Sequence, residues 1–126
     1  MVGRVTRQRQ AIRQVLLETD RPLSVQEVLA AARGNIPGLG IATVYRTIKE
    51  LSQEGWLLAV QLPSESPRYE PIGKGHHHHF LCRRCARLYD IRECLDNLRS
   101  LLPPGFQLEA HDVALQGICA DCANGG

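Results

Sequence analysis

Two cysteine pairs at identical spacing, Cys82-Arg83-Arg84-Cys85 and Cys119-Ala120-Asp121-Cys122, constrain this chain more than any other feature of it. Two intervening residues let both sulfurs of a pair turn onto one ion, and two such pairs close a tetrahedron, the geometry of structural zinc. A thioredoxin-type redox site would instead need one pair on a βαβ unit, and that pattern is absent. Arg83, Arg84 and Arg87 add positive charge that favours thiolate over thiol. The region also needs a staple, because residues 74–126 amount to roughly fifty residues, a size at which a hydrophobic core alone is marginal. The first expectation is therefore a Zn2+ held by Cys82, Cys85, Cys119 and Cys122 as an element of folding.

The other half reads as helices followed by a hairpin. From Thr6 to Glu18 the apolar residues Ala11, Ile12, Val15 and Leu16 recur at helical spacing, with Thr6 as N-cap. Ser24-Val25-Gln26-Glu27 has the form of a capping box and opens a second helix that ends near Gly34. Gly38-Leu39-Gly40 leads into a third, Ile41 to Glu54. Val44, Ile48 and Leu51 are its inward stripe, Thr43, Arg46, Thr47 and Glu50 face out, and Tyr45 and Lys49 sit on the flank. Two strand-like runs, Trp56–Leu62 and Arg68–Ile72, surround the turn-forming Pro63-Ser64-Glu65-Ser66-Pro67. Such an arrangement is a winged helix-turn-helix, whose third helix enters a DNA major groove.

Charge agrees with that reading. Residues 1–60 carry eight Lys/Arg against five Asp/Glu, residues 61–126 seven against eight, and four arginines with no acid fall in the first thirteen residues. The expected DNA contacts are Arg4, Thr43, Tyr45, Arg46 and Thr47: Tyr45 and Arg46 to bases or phosphates, the threonines to phosphates, and Arg4 to the adjacent minor groove.

Gly73-Lys74-Gly75 marks a hinge between a DNA-binding domain, 1–73, and a metal-binding domain, 74–126. Beyond it, His78–Leu81 and Arg87–Ile91 read as strands around the first cysteine pair. Cys94–Leu102 reads as a short helix with Leu95, Leu98 and Leu102 inward, and Phe106–Ile118 as a final strand leading to the second pair. The fold class is α/β in the broad sense (α+β), a winged helix-turn-helix followed by a small zinc-stapled α/β domain.

The run His76-His77-His78-His79 is internal, so it is not an expression tag. Alternate side chains on a strand point to opposite faces, so His77 and His79 share one face and His76 and His78 the other. Two metal sites can be built back to back, with Glu70, Asp90, Cys94, Asp96 and His111 as candidate partners. His76, His78, Cys94 and His111 would close a nitrogen/sulfur tetrahedron suited to zinc, although alternation leaves open which face Cys94 joins.

No apolar run approaches the ~20 residues of a membrane span, and Met1-Val2-Gly3-Arg4 opens no secretory segment. The expectation is a cytoplasmic protein in a reducing compartment, where cysteines serve as ligands rather than disulfides. An enzyme is not expected. A zinc deaminase needs His-x-Glu ahead of its cysteine pair, and four cysteines leave no coordination position open for water. A zinc-storage module would explain the histidines but not the winged helix. Neither a small organic substrate nor a membrane partner is expected.

Taken in order, these motifs resemble the ferric uptake regulator superfamily along essentially the whole chain. Thr6-Arg7-Gln8-Arg9 is similar to its opening helix, Ile41-Ala42-Thr43-Val44-Tyr45-Arg46-Thr47 to its recognition helix, and Arg68-Tyr69-Glu70 to its wing. The stretch from His76 to Cys85 is similar to its His-rich strand and first cysteine pair, and Gly117-Ile118-Cys119-Ala120-Asp121-Cys122 to its closing pair. The resemblance implies a homodimeric, metal-responsive regulator. When metal-loaded it would bind an inverted-repeat operator on double-stranded DNA and control, usually repress, metal homeostasis genes.

Carried over by position, Glu70, His77, His79 and Asp90 match the hinge-proximal sensing site. His76, His78 and His111 match a second site in the dimerisation domain, with Asp96 the nearest acidic residue and Cys94 grouped beside them. The chain departs from the family pattern in several places. Iron and peroxide sensors carry a further His just before the second helix, and Arg21-Pro22-Leu23-Ser24 has none. The helix that precedes Gly3 in many members is missing, Cys94 is an added thiol, and the segment from Asp90 to Gly105 is short. Thiolate moves preference towards zinc, which also tolerates four ligands. The resemblance therefore points to the zinc uptake regulator branch, with a second, regulatory Zn2+. An iron- or manganese/peroxide-sensing regulator is the alternative that Asp90 keeps open.

Overall fold

Helix α1 (Arg4–Glu18) buries Ala11, Ile12, Val15 and Leu16 on one stripe. It begins two residues before Thr6, which therefore lies within its first turn and is not its cap. Helix α2 (Val25–Ala32) starts as its sequence requires: Ser24 Oγ accepts from the Glu27 N–H at 3.1 Å, and Glu27 Oε1 accepts from the Ser24 N–H at 2.9 Å. The reciprocal bonds satisfy two donors that a helix start leaves open, and such a cap is worth about 1 kcal/mol. Helix α3 (Ile41–Gln53) follows Gly40, and Gly55, at φ +79°, turns the chain away after it in the left-handed region where glycine is unstrained.

Strands β1 (Leu57–Val60) and β2 (Arg68–Pro71) pair antiparallel. Leu23 adds a bridge to Tyr69, its N–H donating at 2.9 Å and its carbonyl accepting at 2.8 Å. The hairpin is further fixed by Arg68, which is 3% exposed, donates to Ser66 and Glu65, and lies 3.9 Å from Glu27. Ile12, Leu16, Val28, Leu39, Val44, Ile48, Leu51 and Leu57 make one core beneath these elements.

The computed structural model describes residues 4–62, 65–73, 77–93, 98–111 and 113–125, with side chains from residue 6 onward. The chain divides into two compact units, Met1–Lys74 and Gly75–Gly126. The second holds strands β3 (His78–Cys82), β4 (Leu88–Ile91) and β5 (Ala114–Gly117) in the order β4-β3-β5, with β4 antiparallel and β5 parallel to β3. A 3-10 turn spans Leu98–Leu101, and a short helix α4 spans Ala120–Gly125. Gly117 lets β5 lie against Phe80, whose ring would be 3.1 Å from any added Cβ.

Two expectations need correction here. The final strand does not run from Phe106. Among the described residues of that run, only Ala114–Gly117 finds a partner strand, and Phe106 is exposed. The helix expected over 94–102 is, in its described part, a single 3-10 turn with Leu101 exposed, and Cys94, Leu95 and Asp96 lie outside the described residues. Helix α4 was not foreseen, since six residues are too few to show a period. Among the described residues, no helix is long and apolar enough to cross a membrane.

Candidate metal centres and nucleic-acid face

The turn between β3 and β4 is a knuckle. The Cys82 N–H donates to the Arg87 carbonyl at 3.0 Å, the Ala86 N–H to the Cys82 carbonyl at 2.9 Å, and Ala86 adopts φ +63° to close it. Cys119, immediately before helix α4, and Cys122 within it supply the other pair, and the Arg83 N–H, donating to the Gly117 carbonyl at 2.8 Å, ties the knuckle to the end of β5. Cys82 Sγ lies 3.8 Å from Cys122 Sγ, and Cys85 Sγ 3.8 Å from Cys119 Sγ, with all four sulfurs within 4.8 Å of one another. A disulfide would need about 2.05 Å, so these are thiols. A tetrahedron with metal–sulfur bonds of about 2.3 Å has an edge of about 3.8 Å, so the four cysteines fit zinc.

The electrostatics point the same way. Backbone N–H groups of Cys85, at 3.5 Å, and Cys119, at 3.4 Å, aim at Cys82 Sγ and bring its thiol down to about 5. Cys119 is lowered by the Cys122 backbone and then by the Tyr89 hydroxyl, and Tyr89 is raised in turn by that bond. Burial, reinforced by the neighbouring sulfurs, pushes Cys122 up to about 12. Thiols so crowded cannot all ionise without a cation among them. Arg84 donates to the Cys122 carbonyl at 3.0 Å, a second tie between knuckle and helix.

Among the described residues, His77 and His79 lie to one side of the sheet and His78 to the other. His77 Nε2 and His79 Nε2 lie 3.4 and 3.5 Å from the same oxygen, Asp90 Oδ1, and their rings meet edge to face with centroids 4.9 Å apart. His79 and Asp90 are direct cross-strand partners. Ligand atoms of His77, His79 and Asp90 lie within 4.8 Å of one another. With metal bonds of about 2.0–2.1 Å, a tetrahedral edge is about 3.3–3.4 Å, so this set also fits a divalent ion. Glu70, on β2 of the first unit, is buried.

On the other side, His78 is buried, its Nδ1 accepting from the Val113 N–H at 3.0 Å, and its ring lies 5.1 Å from that of His111. With Nδ1 accepting, the ring proton of a neutral His78 sits on Nε2, so in this arrangement that nitrogen is a donor rather than a ligand atom. His76, Cys94 and Asp96, the remaining residues of this expected second site, lie outside the described residues.

Helix α3 buries Val44, Thr47, Ile48 and Leu51. Thr47 was expected to face outward, but its position three residues after Val44 and four before Leu51 puts it on the core stripe, and it is 6% exposed. The outward stripe is Ala42, Tyr45, Arg46, Lys49 and Gln53, with Thr43 half-buried beside it. Tyr45 and Lys49, expected on the flank, therefore share a face with Arg46; the spacing 42, 45, 46, 49, 53 is the signal that identifies this face. Arg4 lies in the first turn of α1. Tyr89 was also missed, because nothing in sequence places an isolated tyrosine against a sulfur.

A model of the ferric uptake regulator family matches residues 2–116. The ferric uptake regulation protein of Campylobacter jejuni is 29% identical, over 94% of this chain and 79% of that one. Among solved structures, a zinc-bound manganese uptake regulator superposes with a TM-score of 0.80 at 24% identity, covering 93% of this chain and 91% of the other. FurB of M. tuberculosis, a zinc uptake regulator, matches at 28% identity and a TM-score of 0.54, covering 94% and 95%.

Proposed function

This chain belongs to the ferric uptake regulator family, and from that premise we propose that it is a zinc-responsive, homodimeric regulator that binds an inverted-repeat operator when its second metal site is filled. Members of the family are DNA-binding transcriptional regulators rather than enzymes, and they bind metal ions. In this reading residues 1–73 are the DNA-binding domain and residues 74–126 the dimerisation domain. Zinc at Cys82, Cys85, Cys119 and Cys122 is structural, and a regulatory ion is held by Glu70, His77, His79 and Asp90. A bound divalent cation supplies charge that draws these nitrogen and carboxylate ligands together. Glu70 is carried by the hairpin and the other three by the second unit, so joint ligation would restrict the angle between the domains and favour the DNA-binding arrangement. Tyr45 and Arg46 would read the major groove, with Thr43 on a phosphate and Arg4 in the minor groove.

The observation that carries this reading is the convergence of His77, His79 and Asp90 on one point beside a separate four-sulfur cluster. Homodimerisation is supported by β5, an edge strand of the sheet whose residues Ala114, Leu115 and Gln116 are exposed, so that a symmetry mate could continue the ladder. Zinc as the regulatory ion is supported by the absence of a histidine in Arg21-Pro22-Leu23-Ser24 and by a set of four ligands, a number at which zinc is satisfied. A second reading, an iron or manganese sensor, is favoured by the carboxylate of Asp90, since oxygen and nitrogen donors suit those ions as well.

The test is metal analysis of the purified protein before and after mild chelation, with DNA binding measured at each stage. One retained zinc per chain is expected, together with a second, exchangeable ion whose removal abolishes operator binding and whose restoration by Zn2+ recovers it. Recovery by Fe2+ or Mn2+ at lower free metal than by Zn2+ would select the second reading. Tight zinc binding with no DNA affinity would leave only a storage role.

A further inference from the structure

Between the outward stripe of α3 and the hairpin runs an open groove of about 870 Å3, entirely within the first unit. Tyr45, Arg46, Lys49 and Gln53 line it from the helix, and Ala59 and Tyr69 from the strands. Its floor is apolar, two of its lining side chains are cationic, and among the described residues none of them is a carboxylate. Of the acids of α3 and its end, Glu54 pairs with Arg9, and Glu50 is exposed beside Lys49 but does not line the groove. The groove thus presents positive charge and amide and hydroxyl donors over a surface on which a sugar ring can rest, and it is open along its length. That is the complement of an extended polyanion.

We infer that this groove seats one sugar–phosphate strand of the bound duplex, with Lys49 holding a phosphate while Arg46, one turn earlier, addresses the bases. The inference rests on the DNA-binding reading given above and adds to it a contact that carries affinity without sequence information. Lysine suits that role, because an ammonium is a point charge on a flexible stem, without the planar fork that arginine presents to a guanine edge. A phosphate contact positions the protein, releases a counterion and leaves base preference untouched.

The test uses the full chain loaded with zinc and two probes: a 30-base-pair duplex selected on the protein from a random library, and a scrambled duplex of the same composition. Binding is followed by fluorescence anisotropy over a range of salt. Lys49→Ala should weaken both duplexes by the same factor, and the slope of log K against log salt should fall in magnitude by about 2 per dimer, one phosphate per protomer at about 0.9 each. Gln53→Lys, which places a new cation in the same groove, should steepen the slope and tighten both duplexes. An unchanged slope in both variants would overturn the inference, as would a Lys49→Ala protein that weakens the selected duplex alone, which would make Lys49 a base-reading residue. If the unaltered protein selects no duplex at all, it is the DNA-binding reading that has failed, and the salt series is not reached.

Discussion

Replacing Cys119 with serine should unfold the second unit and leave the first standing. Among the described residues of the second unit, the buried apolar side chains are Leu88, Cys82 and Cys119, whereas the first unit buries a connected core of a dozen. Full burial of one leucine contributes about 1.5–3 kcal/mol. A structural zinc contributes about 10–16 kcal/mol to the folding of a small domain, comparable to the whole net stability of an ordinary one. Serine removes one of four thiolates and leaves a neutral hydroxyl, so the closed charge-compensated tetrahedron is lost. It also strands the Tyr89 hydroxyl, which bonds the Cys119 sulfur. The assay is amide hydrogen exchange read by segment, alongside zinc content. Exchange should become fast across His78–Cys82, Leu88–Ile91 and Ala114–Gly117, while Ile12–Leu51 keeps its protection and Trp56, the single tryptophan, keeps its native fluorescence. A zinc-free Cys119→Ser protein with slow exchange in those three strands would refute the reasoning.

Further outcomes follow from individual contacts. Asp90→Ala should leave one zinc per chain and weaken the exchangeable metal at least tenfold, by isothermal titration, because it removes the oxygen on which His77 and His79 converge. Ala86→Gly should stabilise the second unit by about 0.5–1 kcal/mol, read as slower exchange in β3 and β4, since glycine adopts φ +63° without the strain a Cβ brings. Burial pushes the Glu27 carboxyl up, but the Ser24 N–H and then Arg21 outweigh it and hold it below its ordinary 4.5. A lowered folded value gives stability that is present above about pH 4.5 and is lost as pH falls through the folded value. The gap in urea midpoint between the protein and Glu27→Gln, followed by Trp56 fluorescence, should therefore be constant from pH 6 to 8 and close in acid.

Much of the first unit was legible because its signals are local. Ser24 and Glu27 cap their own helix, Gly55 terminates α3, and Ile12, Val15 and Leu16 repeat at the helical period. The error at Thr47 comes from composition: a threonine counts as polar, yet its methyl lets it take a core position when the spacing from Val44 to Leu51 demands one. In the second unit, the cysteine spacing and the alternation of the histidines carried over into geometry because each depends on two or three neighbouring residues. What failed there was non-local. Whether residues 106–111 form a strand depends on a partner lying alongside, and among the described residues β5 pairs with β3 from Ala114 onward. Nor could sequence show Arg68 buried between Glu65 and Glu27, since a cation in a hairpin reads as a solvated one.

The two proposed metal chemistries share one hairpin, and that arrangement orders them. The knuckle with Cys82 and Cys85 is the turn that joins β3 to β4, and the register it closes sets His79 opposite Asp90 and Phe80 opposite Tyr89. Neighbours on a strand face opposite ways, so Asp90 joins the histidines while Tyr89, one residue earlier, reaches the Cys119 sulfur. A slip of one residue would exchange those faces, sending the carboxylate away from the histidines and the phenol away from the cluster. The sulfur cluster, by pinning the turn and tying it to β5 through Arg83, holds the register on which the nitrogen–oxygen site depends. The dependence does not run backwards, because the cluster takes no ligand from the histidine run. Mild chelation should therefore empty the histidine site and leave the cluster filled, whereas stripping the cluster should abolish both, and no condition should yield a filled histidine site beside an empty cluster.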